Sequence, residues 1–302
     1  MWHRYREPVA GRGAPGLPAA HDVGDIGDLN PAQFERFARV IHEATGIHLK
    51  PQKITLLSNR LRKRMRALGL SDFDRYYERV EQDQEGERGA FIAVVTTNET
   101  YFWRTTANFE LLRNDLLPGL LERFPGVTLR FWSAGCSTGE EPYNMAMELT
   151  EAMKTTGPFD FEIVASDISR SVLDFAETAV YHGRRIERVP PLMLRRYFRP
   201  VPEEPEKYRV REDIQRRVRF EQENLFESKA RDFHVVFCRN VMIYFTRNDQ
   251  ARLLEVLWSA LVRGGYLIVG HSESLHSYDT PFVARKFDRG IAYQRAPEAE
   301  NA

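Results

Sequence analysis

Hydrophobic positions change period once along this chain, near residue 90. Before that point they recur at helical spacing. Asn30-Pro31 reads as an N-cap followed by a first-turn proline, and Phe34, Phe37 and Ile41 then fall on one helix face. After Gly46 a second helix is expected from about Gln52 to Leu68, with Ile54, Leu57, Leu61, Met65 and Leu68 as its stripe. Ser71 is expected to cap a third helix, through about Gln82, that carries Phe73, Tyr77 and Val80. These make a small all-α domain over residues 29–85. The polar, glycine-punctuated stretch from Glu81 to Gly89 marks a boundary, and residues 86–95 are expected to be a linker. From residue 96 to 295 the texture is alternating strand and helix. Strands are expected at Thr128–Ala134, Glu162–Ser166, His234–Cys238 and Tyr266–Val269. Helices are expected from about Glu140 to Met153, Ser169 to Thr178 and Asn248 to Leu261, the last one ended by Gly264-Gly265. That rhythm predicts an α/β, Rossmann-like domain with a mostly parallel sheet. It breaks at about 181–220, where Arg, Glu and Pro crowd short alternating runs and a β-rich insert is expected.

Charge and cysteine content narrow the partners. The 302 residues carry 43 Lys+Arg and 43 Asp+Glu, so no global attraction to nucleic acid or anionic membrane is expected. Two cysteines, Cys136 and Cys238, suit a reducing compartment, and no apolar run approaches the ~20 residues of a membrane span. Cytoplasmic localisation follows as the expectation. Residues 1–28 read as a disordered extension and 296–302 as a tail. The eight histidines show no ligand spacing, so no metal is expected.

The candidate chemistry lies at strand ends. Phe131 to Tyr143 reads as a buried strand, a turn of small residues and a helix start, the layout of a nucleotide-type cofactor site. Ser137 and Glu140 have the spacing of a capping box, and Pro142 fits the first turn. No Gly-Lys-Ser/Thr follows, which disfavours a phosphate loop. Asp167 ends the second strand, where an acid accepts hydrogen bonds from ribose hydroxyls. Turn and acid together leave a dinucleotide or S-adenosylmethionine. The missing G-x-G-x-x-G spacing tilts the choice toward S-adenosylmethionine, which has no phosphate to hold. The fourth strand runs out into Cys238-Arg239-Asn240-Val241-Met242-Ile243-Tyr244-Phe245, and no proline follows Asn240, which disfavours an amine acceptor. Upstream, TTNETYFWR (96–104) joins hydrogen-bonding side chains to an aromatic cluster and one arginine, and by itself reads equally well as a packing segment.

Four motifs, TTNETYFWR (96–104), SAGCSTGEEPY (133–143), CRNVMIYF (238–245) and GGYLIVGHSES (264–274), resemble in order and spacing the chemotaxis receptor glutamate O-methyltransferases, the CheR family. The resemblance covers about residues 30–295. It implies a class I S-adenosylmethionine-dependent methyltransferase domain behind a helical receptor-docking domain. It further implies receptor glutamates as acceptors and S-adenosylhomocysteine as product. Cofactor contacts carry over to Asn98, Thr100, Arg104, Glu140, Asp167, Asn224, Leu225, Arg239 and Asn240, with Gly135 in the turn. Arg104 and Tyr244 match the positions lining the methyl-transfer site.

Two surface features acquire a meaning beside that resemblance. Between Leu49 and Leu70 there are cations and no acids. A solvated basic face or a nucleic-acid site fits the pattern alone, although aromatic interleaving is missing. With the resemblance, Lys53, Arg60, Lys63 and Arg64 are expected to dock on acidic helices of methyl-accepting chemoreceptors, recruiting the enzyme to receptor arrays. Some relatives tether a C-terminal receptor peptide on the insert through a glycine-bearing loop. Here the loop from Arg199 to Tyr208 has no glycine, and the tether is expected to be absent. Rival readings are a methyltransferase acting on amines or nucleic acid, and a scaffold that binds the cofactor without catalysis.

Overall fold

A computed structural model describes residues 26–296 of the chain. The expected extension and tail therefore lie outside the described residues, apart from 26–28 and 296. Residues 26–28 are docked: Ile26 is buried, and Arg62 donates to the carbonyls of Ile26 and Gly27.

Four helices form the first layer: α1 (Pro31–Thr45), α2 (Ile54–Ala67), α3 (Phe73–Glu81) and α4 (Glu87–Val95). Asn30 and Gln33 cap α1 reciprocally, Pro31 opens it, and Gly46 closes it in the left-handed region. Asp72, not Ser71, caps α3, because its carboxylate reaches the amide of Asp74. The expected linker is a helix as well. Phe91, Ile92 and Val95 of α4 are buried in the same core as Phe37, Leu61, Met65 and Tyr76. Charged residues hid it from periodicity, since Glu87 is buried against Arg64 and Tyr76 rather than solvated.

The rest of the chain builds α5 (Thr106–Leu111), α6 (Leu117–Arg123), β1 (Leu129–Ala134), α7 (Glu140–Thr156), β2 (Phe161–Asp167) and α8 (Arg170–Thr178). Then come β3 (Val180–Tyr181), α9 (Pro191–Tyr197), β4 (Phe198–Val201), β5 (Glu204–Val210), α10 (Glu212–Gln215) and β6 (Val218–Gln222). The chain continues with β7 (Phe233–Cys238), α11 (Arg247–Ala260), β8 (Leu261–Val269), β9 (Val283–Phe287) and β10 (Gly290–Gln294). Seven strands form one sheet in the order β6-β2-β1-β7-β8-β10-β9. The first five are parallel; β10 runs antiparallel to both β8 and β9. The strand order reverses between β1 and β7, which is where an open α/β sheet leaves a crevice at its carboxyl edge.

Central strands are buried on both faces, so they read as continuous apolar runs rather than alternating ones. Phe131, Ile163, Val235 and Phe237 face the core under α7, whereas Trp132, Val164, Val236 and Cys238 face that under α11. The insert is a separate three-stranded antiparallel sheet, β3-β5-β4. Its expected boundary ran too far, because β6 pairs in parallel with β2 in the main sheet. Gly264 and Gly265 lie inside β8, not at the end of α11, next to an irregularity in its pairing with β7. Gly264 has φ 83, and a Cβ there would strike Arg123. No described helix is long and apolar enough to cross a membrane.

Candidate active site

The carboxyl ends of β1, β2 and β7 open into a cleft, partly open to solvent. Its first wall is the loop after β1. Gly135 has φ 78 and its amide donates to the Ser166 carbonyl; a Cβ there would lie 2.6 Å from a Val241 methyl. This close approach explains the glycine. Ser137 (φ 51) then turns its amide onto the Asp167 carboxylate at 2.9 Å, and its hydroxyl donates to the Asn98 carbonyl at 3.2 Å. The capping box expected between Ser137 and Glu140 does not form: Gly139 precedes α7 without a side-chain cap.

Asp167 is 9% exposed at the end of β2. Burial raises its carboxyl above the usual aspartate range, while amides of Ser169, Ser137 and Ile168 pull it back. Backbone amides of Ser137 and Ser169 donate to the two carboxylate oxygens, and the carboxylate keeps acceptor capacity for a further donor.

The second wall is the connector from Thr96 to Arg104. Trp103 (φ 57) and Thr105 (φ 60) hold left-handed conformations on both sides of Arg104. Such backbone costs of order 1–3 kcal/mol per residue and must be held by its surroundings. The Trp103 amide donates to Asn144 at 2.7 Å, and its indole N–H donates to Glu148 at 3.1 Å. Arg104 donates through Nη1 to the Glu99 carbonyl at 2.8 Å, and its guanidinium faces the cleft beside Tyr101.

The loop after β7 supplies the third wall. Arg239, with a side chain only 2% exposed, pairs with Glu141 at 2.8 Å and donates to the Arg104 carbonyl at 2.5 Å. Asn240 is left-handed (φ 59), and Val241, Tyr244 and Phe245 complete the wall. The all-α domain closes the cleft from the side with Thr45 and Ile47. Ile47 bridges to Phe245, the His48 amide donates to the Tyr244 carbonyl at 2.8 Å, and Asn224 donates to the Ala44 carbonyl at 3.2 Å.

The cleft thus brings together Asn98, Thr100, Arg104, Gly135, Asp167, Asn224, Leu225, Arg239, Asn240 and Tyr244. Glu140 is not among them. It is fully buried behind the wall, accepting from Thr138 and paired with Arg185 next to the insert, and burial raises its carboxyl above the usual range. Its neighbour Glu141 lines the cleft instead, held by Ser133 and Arg239. No periodic signal separates the two, because α7 is buried almost all round its first turns.

The expected docking cations divide as well. Arg64 is committed to Glu87 through two hydrogen bonds, at 2.9 and 2.6 Å. Arg60 is turned inward to the Val95 carbonyl and to Thr97 at 2.9 Å, where it anchors the start of the connector. Lys53 and Lys63 remain exposed.

Four carboxylates, Glu99, Glu141, Asp167 and Glu223, line the cleft against two guanidiniums, Arg104 and Arg239, and no lysine. That balance disfavours a pyrophosphate and fits a ligand with a sulfonium and an ammonium. Asp167 presents spare acceptor capacity for ribose hydroxyls, and the Arg239 Nε is buried without a partner among the described residues. The residues present fit S-adenosylmethionine.

Family comparison points the same way. The model of the CheR methyltransferase SAM-binding domain matches residues 98–291, and that of the CheR methyltransferase all-alpha domain matches 32–96. Chemotaxis protein methyltransferase 2 of Pseudomonas aeruginosa is 41% identical over 247 residues, covering 80% of this chain and 86% of that protein. Chemotaxis protein methyltransferase Cher2 of Pseudomonas putida is 36% identical, covering 86% of this chain and 97% of that protein. The chemotaxis protein methyltransferase of Escherichia coli is 36% identical, covering 85% and 89% respectively. With an all-α domain closing a carboxylate-lined cleft at the switch point of a Rossmann-like sheet, the chain belongs to the CheR methyltransferase family, whose members are methyltransferases of chemotaxis.

Proposed function

We propose that the enzyme methylates glutamate side chains on the cytoplasmic helices of chemoreceptors, forming γ-methyl esters for adaptation. The observation that carries this reading is Arg104, a guanidinium facing the cleft on a connector fixed by Asn144 and Glu148. When bound, S-adenosylmethionine supplies a methyl group activated by its sulfonium, and transfer leaves S-adenosylhomocysteine. A glutamate acceptor, of pKa near ~4.3, is already ionised at neutral pH. The cleft therefore needs no general base, and its task is to position the acceptor. Arg104 orients one carboxylate oxygen through its planar fork and leaves the other to react. Tyr244 walls the same channel. Asn98, Thr100, Asp167, Asn224, Leu225, Asn240 and the Gly135 turn hold the cofactor, with Glu141 in place of Glu140.

Lys53 and Lys63 on the exposed face of the basic segment meet the acidic receptor helices and bring the enzyme to the array. A nucleic-acid partner is not proposed. Nor is a receptor-tail tether, since the hairpin between β4 and β5 turns at Glu203 (φ 65) with no glycine. The test is transfer of labelled methyl from S-adenosylmethionine to a receptor cytoplasmic fragment, and the lability of the product to mild base.

A further inference from the structure

The motif GGYLIVGHSES contributes no side chain to the cleft wall, yet it carries a buried acid, Glu273, only 5% exposed. Its carboxylate is held by three backbone amides. Oε2 accepts the Asn240 amide at 2.6 Å and the Gly270 amide at 2.8 Å, and Oε1 accepts the Ile243 amide at 3.2 Å. Two of these donors belong to the loop after β7 and the third to the loop after β8. Each hydrogen bond to an ionised acceptor is about twice as strong as a neutral one. One side chain thus ties together the two loops at the carboxyl edge of adjacent strands.

The position of the clamp is what gives it a consequence. Asn240 sits in the left-handed region at φ 59, which asparagine tolerates better than most residues and which the clamp on its amide fixes in place. Ile243 precedes Tyr244 within a short 3₁₀ turn, so the second oxygen sets where that turn begins. Gly270 is shaped to the clamp: a Cβ there would lie 2.3 Å from Glu273 Oε2 and 3.0 Å from the Asn240 amide.

We propose that Glu273 is the positioning residue of the methyl-transfer site, holding Asn240 and Tyr244 in register with the cofactor. This rests on the reading of the cleft as a methyl-transfer site. Glu273 does not touch the reacting atoms; it acts through the backbone of residues that do. Glu273→Gln replaces one acceptor oxygen by a donor that faces another N–H, so one edge of the clamp is lost while the volume is kept.

The test compares wild type, Glu273→Gln and Gly270→Ala, the last of which displaces the carboxylate without removing it. S-adenosylhomocysteine affinity by calorimetry, kcat at saturating cofactor with a receptor fragment, and Tm are measured on each. The expected result is a tenfold or greater rise in Kd together with a tenfold or greater fall in kcat, in both variants, in protein that is folded at the assay temperature. Kd and kcat equal to wild type in either folded variant would overturn the proposal, whatever the change in Tm. If wild type binds S-adenosylhomocysteine but methylates no receptor fragment, the acceptor assignment fails, and the Kd comparison still decides the role of Glu273.

Discussion

Arg239 and Arg104, two cations of one cleft, are joined through backbone: the Arg239 guanidinium donates to the Arg104 carbonyl at 2.5 Å. The same guanidinium pairs with Glu141 at 2.8 Å. The end of β7, the start of α7 and the connector carrying Arg104 are therefore fixed by one buried group. Removing one partner of a buried pair costs about 3–5 kcal/mol, because the other charge is left uncompensated. Arg239→Ala should lower Tm strongly and weaken cofactor binding, and Arg239/Glu141 double-mutant cycles should show strong coupling. Additive single-mutant effects would mean that the two side chains act separately.

Arg104 itself should behave differently. Arg104→Ala leaves the Arg104 carbonyl in place for Arg239, so the cleft keeps its shape. Turnover should fall by about two orders of magnitude or more, with S-adenosylhomocysteine affinity changed by less than tenfold. Equal losses in both, read from single-turnover rates and calorimetry, would contradict an orienting role.

Asp167 gives the site a pH dependence. Burial raises its carboxyl above the ordinary aspartate range, and protonation would replace an acceptor by a donor where the ribose hydroxyls are proposed to bind. Cofactor affinity should therefore weaken as pH falls, beginning above the pH at which an exposed aspartate protonates. Asp167→Asn should bind more weakly at neutral pH and lose that dependence. A parallel pH profile in the variant would place the titration elsewhere.

Glu151 predicts an acid-sensitive joint between α7 and the insert. Burial pushes its carboxyl upward, but hydrogen bonds from Lys154, Tyr197 and Arg196 outweigh that and hold it down at about 2. A depressed folded pKa stabilises above the unfolded value, near ~4.3, and the contribution is lost as pH falls toward about 2. Solvent screening limits it to about 0.5–1 kcal/mol. Glu151→Gln should lower Tm at pH 7 and converge with wild type at the acid end; a constant offset down to pH 2 would refute the linkage.

The basic segment offers a contrast among its own cations. Reversing Lys53 and Lys63 to Glu should raise the receptor-fragment KM several-fold and steepen with falling salt, with cofactor affinity unchanged. Arg64→Ala should instead destabilise the fold by about 3 kcal/mol or more, because Glu87 is left buried. A KM unaffected by the lysine reversals would remove the docking surface.

Arg64 and Glu87 show where sequence was readable and where it was not. Period and capping residues located the strands and helices around the cleft, because Asn30-Pro31, the apolar run to Ala134 and the strand ending at Cys238 each express a local rule. Burial of charge obeys no such rule. Arg64 and Glu87 look solvated in a string of charges, yet their pairing turns the expected linker into α4. Glu140 and Glu141 are adjacent on a helix buried on nearly every side, so only tertiary structure sends one to Arg185 and the other to the cleft. Gly264 resembles a helix cap, but its positive φ belongs to an irregular strand packed on Arg123.

The central claim is that the acceptor is a carboxylate. It is tested most directly by incubating the protein with labelled S-adenosylmethionine and receptor cytoplasmic fragments, then treating the product with mild base. The label should leave as volatile methanol, the signature of a methyl ester. Label that stays on the receptor fragment through base would contradict it and identify an amine or another stable acceptor.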